Sequence, residues 1–106
     1  MTEIDFYTNK KGELLGFHVH GHSGYADEGE DIVCAAISSA VYLVINTITD
    51  VMHINADVEV DSGDSVLRIS SKNAESCRVL LQGLKLHLLN LEEQYSKFII
   101  VKYTEV

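Results

Sequence analysis

The stretch HVHGHSGYADEGEDIVCAA, residues 18–36, decides how this chain folds and where its chemistry sits. It gathers three histidines, three of the seven glycines and one of the two cysteines. Its first part alternates, so His18, His20 and His22 share one strand face and Val19 the other. Its middle, residues 21–30, carries Gly21, Gly24 and Gly29 among acids and reads as a loop. Asp31 can cap a helix by accepting a backbone N–H, and an apolar periodic run begins at Ile32. The stretch is therefore strand, loop and helix start in succession.

Working upstream, residues 14–22 form the strand, with Leu15, Phe17 and Val19 facing the core. Residues 2–8 alternate Ile4 and Phe6 against Glu3, Asp5 and Tyr7, which predicts a half-buried strand. The turn 9–12 joins the two as a hairpin. Downstream, Val33, Ile37, Val41, Val44, Ile48 and Val51 recur at helical spacing, predicting a helix from about residue 32 to about residue 53. Ala35, Ala36, Leu43 and Ile45 make its first half apolar nearly all round. Such a helix is buried on more than one side, and in a domain this small a subunit interface supplies the second surface.

Residues 56–60 and 65–70 read as a second hairpin around the turn 62–64. Cys77, Leu81, Leu84, Leu88, Leu91 and Tyr95 then form one apolar stripe of a helix over about 73–95. Residues 98–103 read as a closing strand. The predicted order is ββαββαβ. The fold class is α+β: a mostly antiparallel five-stranded sheet with two helices packed against it, an α/β sandwich. All of 1–106 forms a single domain.

The net charge is -8, with 8 Lys and Arg against 16 Asp and Glu. This excludes non-specific nucleic-acid binding, which needs clustered positive charge, and suits a basic partner. The apolar run 32–49 is interrupted by Ser38, Ser39, Asn46 and Thr47 and reads as a buried helix, not a membrane span. Two cysteines without an export signal indicate free thiols in a reducing cytoplasm.

Three chemistries compete for the opening segment. In the first, Cys34 is a nucleophile in the first turn of the helix, where unpaired N–H groups stabilise a thiolate and can hold an oxyanion. His22 would return beside it as a base, and Ser38, one turn on, would line the same site. Asp27, Glu28, Glu30 and Asp31 oppose this, because nearby negative charge disfavours a thiolate. In the second, His18, His20, His22 and Cys34 hold zinc. In the third, the glycine loop binds phosphate at the helix start, but no basic residue lies between Gly12 and Arg68 to assist. The competing bland reading makes Cys34 a small buried apolar residue. Cys77 belongs to the core stripe, and Tyr25 is either a loop anchor or a substrate contact.

GHSGYADEGEDIVCAAISS, residues 21–39, resembles the signature of the ribosomal-processing cysteine protease family Prp. The match falls at Gly21, His22, Gly24, Tyr25, Gly29, Asp31, Ile32, Val33, Cys34, Ala35 and Ser38. The resemblance implies a small bacterial cytoplasmic homodimer with Cys34 as nucleophile and His22 as base. It implies removal of a short N-terminal extension from a basic large-subunit ribosomal protein, number twenty-seven, after paired phenylalanines, beneath a mobile loop. The expected site is thus His22 and Cys34 for catalysis, shaped by Gly21, Gly24, Tyr25, Gly29, Asp31 and Ser38, with no metal or other cofactor. The expected partners are that precursor and a second copy of the chain, with no nucleic acid and no membrane. Asp31 is read as the helix cap, and the oxyanion is expected at N–H groups of the helix start, including that of Cys34. The rival from another class is a non-catalytic ribosome-assembly or protein-binding factor that grips a basic protein with the acidic loop.

Overall fold

The computed structural model describes residues 1–27, 30–61 and 63–106. Strands β1 (Thr2–Thr8) and β2 (Leu14–His20) form the first hairpin, followed by helix α1 (Ile32–Asn46) and a π-helical extension (Thr47–Val51). Strands β3 (Asp57–Asp61) and β4 (Asp64–Arg68) form the second hairpin, followed by a 3-10 turn (Ser71–Asn73), helix α2 (Ala74–Gln94) and strand β5 (Ile99–Glu105). Ser62, in the predicted turn, lies outside the described residues.

The sheet order is β3-β4-β2-β1-β5. The pairs β1·β2, β2·β4 and β3·β4 are antiparallel, and β1·β5 is parallel. The parallel pair follows from chain path, since α2 carries the chain across the layer before β5 adds beside β1. The ββαββαβ order and the mostly antiparallel five-stranded sheet are those the sequence predicts.

Ile4, Phe6, Phe17, Leu67 and Ile99 from the sheet share one core cluster with Val33, Ile37 and Val41 of α1 and Leu81, Leu84 and Leu88 of α2. Both helices therefore cover the same sheet face. The opposite face is polar: Lys102 Nζ lies 3.4 Å from Glu3 Oε1, and the Thr104 hydroxyl donates to Asp5 at 2.8 Å. Ile32–Val51 is long and apolar enough by length and composition to cross a membrane. Here Val33, Ile37, Val41, Val44 and Ile48 pack into the core, while Ile32, Leu43 and Val51 stay exposed.

One local departure comes from a register shift in the first hairpin. Tyr7 pairs with Gly16 but Thr8 pairs with Leu14, so Leu15 is the extra residue of a bulge. Leu14 joins the core cluster with Phe17, while Leu15 is buried outside it. Its carbonyl accepts from Ile69 N–H at 2.8 Å. Gly16 permits this: its φ is +146°, and a Cβ there would lie 2.0 Å from the Leu67 carbonyl oxygen. The bulge resets the alternation, which a simple period of two does not foresee.

Candidate active site

Strand β2 ends at His20, and Gly21 follows with φ +86°. A left-handed residue breaks the alternation of side chains. His18 and His20 stay on the outer sheet face with ring centroids 4.8 Å apart. There His18 hydrogen-bonds Asp64, and His20 Nε2 lies 3.1 Å from Glu3 Oε2. His22 leaves that face, contrary to the expectation that all three histidines share it. The chain is held at this bend by the Gly21 N–H, which donates to the Gly63 carbonyl at 3.0 Å. A Cβ on Gly21 would meet the Met1 carbonyl oxygen at 2.8 Å, so glycine is required for space as well as for φ.

His22 and Cys34 line one cavity of about 590 Å³ between the end of the sheet and the start of α1. Thr2, Val19 and Ile37 also line it, as do Ser38 and Tyr42, with Asp27, Asp61 and Asp64. The imidazole rests over Gly63, whose missing side chain leaves room for it: a Cβ there would be 3.1 Å from His22 Nε2. Among the described residues no hydrogen bond joins His22 to Cys34. Cys34 is half-buried and free, and Cys77 is fully buried and free.

Asp31 organises the helix start. Its backbone is extended (φ -81°, ψ 98°), and Oδ1 accepts from the N–H groups of Val33 and Cys34, each at 3.0 Å. This is the capping role expected of it. Its second oxygen, Oδ2, accepts the Ser23 hydroxyl. Burial pushes the carboxyl up, but hydrogen bonds outweigh it. The Ser23 hydroxyl, the Cys34 N–H and side chain, and the Ala26 N–H together hold it at about 2. Asp31 thus stays an anion through the mildly acidic range, where an ordinary carboxyl takes up its proton.

The cap has a chemical consequence at Cys34. A capping carboxylate takes the N–H groups two and three residues on, and Cys34 is the third. The Cys34 N–H expected to face an oxyanion is therefore already engaged by Asp31 in this state.

The other expected residues fall in different places. Gly21, Asp31 and Ser38 line the cavity. Gly24 has φ +76° and open space beside it, so it serves the turn and not the wall. Tyr25 is an anchor: its ring meets those of Phe98 and Tyr95 edge-on, at 5.3 and 5.9 Å, and ties the loop to the far end of α2. Gly29 and Glu28 lie outside the described residues. Among the described residues, no three His, Cys, Asp or Glu side chains come together as a metal-ligand set.

Two residues join the site that the sequence does not single out. Ser23 is 2% exposed; its N–H donates to Cys34 Sγ at 3.3 Å, and its hydroxyl accepts the Tyr25 N–H at 3.1 Å. The Ser-Gly pair at 23–24 signals the turn but not the contact with sulfur. Thr2 lines the cavity, and its buried hydroxyl lacks a hydrogen-bond partner among the described residues. No sequence signal marks it.

A family model for cysteine protease Prp matches residues 1–100. The ribosomal processing cysteine protease Prp of Staphylococcus aureus is 27% identical over 105 residues, covering 97% of this chain and 99% of that protein. Its namesake in Bacillus subtilis is 23% identical over 88 residues, covering 77% and 79% of the two chains. The crystal structure of the S. aureus protease with a covalently linked product peptide superimposes with a TM-score of 0.89 at 26% identity. It covers 98% of this chain and 100% of that one. The same protease with a substrate peptide gives a TM-score of 0.84 at 25% identity, with the same coverage. A free thiol at a capped helix start, an imidazole in the same cavity and a match along nearly the whole chain lead to one assignment: this chain belongs to the Prp family of cysteine proteases.

Proposed function

We propose that this protease is a ribosomal-processing endopeptidase in which His22 and Cys34 form the catalytic dyad. The observation that carries the reading is their placement in one cavity at the start of α1. His22 takes the proton from the Cys34 thiol, and the sulfur bonds to the scissile carbonyl carbon. The oxyanion collapses, the C–N bond breaks, and protonated His22 gives its proton to the leaving amine. Water, deprotonated by His22, then attacks the thioester. The C–S bond breaks, the acid product leaves, and the thiolate recovers its proton from His22.

The absence of a His22–Cys34 hydrogen bond suits a dyad that closes on substrate, since such contacts are often loose before binding. Ser38 shapes the wall beside the nucleophile.

The substrate is the precursor of the basic large-subunit ribosomal protein number twenty-seven, cut after an aromatic pair. The cavity supports this in two ways. Val19, Ile37 and Ala35 give it apolar walls for an aromatic side chain, and Asp27, Asp61 and Asp64 give it a negative rim for a basic chain. The protein acts in the cytoplasm as a homodimer. A groove of about 610 Å³ between α1 and α2, with Leu43 and Val79 among its lining residues, gives a second copy an apolar surface to cover.

Purified protein incubated with that precursor should release the extension as a peptide of defined mass. Cys34→Ala should bind the precursor without cutting it. A precursor left intact by the parent protein would overturn the substrate assignment. Sedimentation should give twice the monomer mass, and Leu43→Glu should halve it.

A further inference from the structure

We propose that Ser23 sets the reactivity of Cys34: its backbone N–H is the hydrogen-bond donor for the sulfur, and its hydroxyl fixes that donor in place. The inference rests on Cys34 being the nucleophile and deepens that reading.

Several titratable groups share the cavity with the thiol. His22, Asp27, Asp31, Tyr42, Asp61 and Asp64 line the cavity with it. Four of these are carboxylates, which when ionised have no proton to donate to a sulfur anion. The usual donors at a helix start are its open N–H groups. Here Asp31 holds those of Val33 and Cys34. The Ser23 N–H, at 3.3 Å from Sγ, remains to stabilise the thiolate. A donor to the charged form favours that form.

The hydroxyl explains why that N–H points where it does. Ser23 Oγ donates to Asp31 Oδ2 and accepts from the Tyr25 N–H. One oxygen thus ties the loop to the cap and closes a turn across Gly24. Asp31 holds Cys34 on the helix side and Ser23 on the loop side. The hydroxyl is a positioning group, while the N–H touches the reacting atom. After attack the carbonyl carbon is bonded to that sulfur, so the same N–H lies near the developing oxyanion.

Alkylation by iodoacetamide tests this without any substrate, and buried Cys77 serves as an internal reference. Ser23→Ala should slow alkylation of Cys34 at neutral pH and move its rate profile to higher pH. Ser23→Thr, which keeps the hydroxyl, should restore both. Replacing the amide between His22 and Ser23 by an ester removes the N–H and leaves every side chain. That protein can be assembled by ligation at Cys34. Its loss in kcat should be about 10²–10³-fold, the range for removing one oxyanion donor, with KM nearly unchanged. An ester protein that alkylates and turns over like the parent would overturn the inference. So would Ser23→Ala with an unshifted alkylation profile. If the parent alkylates as expected but cuts no peptide, the protease reading fails while the role of Ser23 still stands or falls on alkylation.

Discussion

The chain places a cysteine in the first turns of both helices, and the two sites could hardly differ more. Cys34 is the third residue of α1 and Cys77 the fourth of α2, each following a hairpin. Between β2 and α1 runs the loop that carries His22, Ser23 and the cap Asp31. Between β4 and α2 runs a short connection, residues 69–73, that ends in the 3-10 turn at Ser71–Asn73, and Asn73 makes no side-chain cap. Cys34 ends up half-buried on a cavity wall, with an N–H aimed at its sulfur. Cys77 is sealed beneath the sheet, and burial pushes its thiol up. A helix start alone does not open a thiol to a cavity; here the loop that precedes it does.

The sharpest way to break this contrast is to remove each sulfur. Cys34→Ala should lower cleavage by at least about 10³-fold, as for other covalent nucleophiles. Cys77→Ala should cut at the parent rate, because its sulfur only packs, as peptide mapping of both variants would show. Next in size, His22→Ala should cost about 10²–10⁴-fold in kcat, the usual worth of a general base. An unchanged rate would mean that the imidazole is not the base.

Removing the cap sharpens the comparison from the other side. Asp31→Ala should lower stability by about 0.5–2 kcal/mol in denaturant melts, whereas Asn73→Ala should cost much less. Because the Asp31 carboxyl is held at about 2, below its unfolded value, its contribution is full above about pH 4. That contribution fades as pH falls from there toward 2, and the Asp31→Ala variant should lack this part of the acid limb. The smallest effect is expected at Thr2. Thr2→Val removes a hydroxyl buried without a partner, and should raise stability by up to about 1 kcal/mol in the same melts.

The same contrast divides what could be read from sequence. The α2 stripe from Cys77 to Leu88 is periodic and buried as its spacing requires. The cap at Asp31 is equally legible, because capping is local chemistry between a side chain and the next few N–H groups. The position of Leu14 was not, because the bulge at Gly16 depends on the Leu67 carbonyl across the sheet. Nor was the departure of His22 from its strand face, which turns on one backbone angle at Gly21. The parallel seat of β5 beside β1 joins the two ends of the chain, beyond any local pattern. Ser23 carries no such signal, because a serine in a glycine loop reads as turn chemistry and its N–H meets the sulfur only once the chain is folded.

Gly63 carries a consequence beyond its own turn. It accepts the Gly21 N–H and lies flat beneath the His22 ring, so the outer hairpin works as an anvil for the imidazole. In the sheet that hairpin joins β2 through β4, and β3 forms the outer edge. A side chain at 63 would press on the ring, so a shift of that turn should shift the ring with it. The second hairpin would therefore tune the proton transfer proposed for His22 while donating no proton of its own.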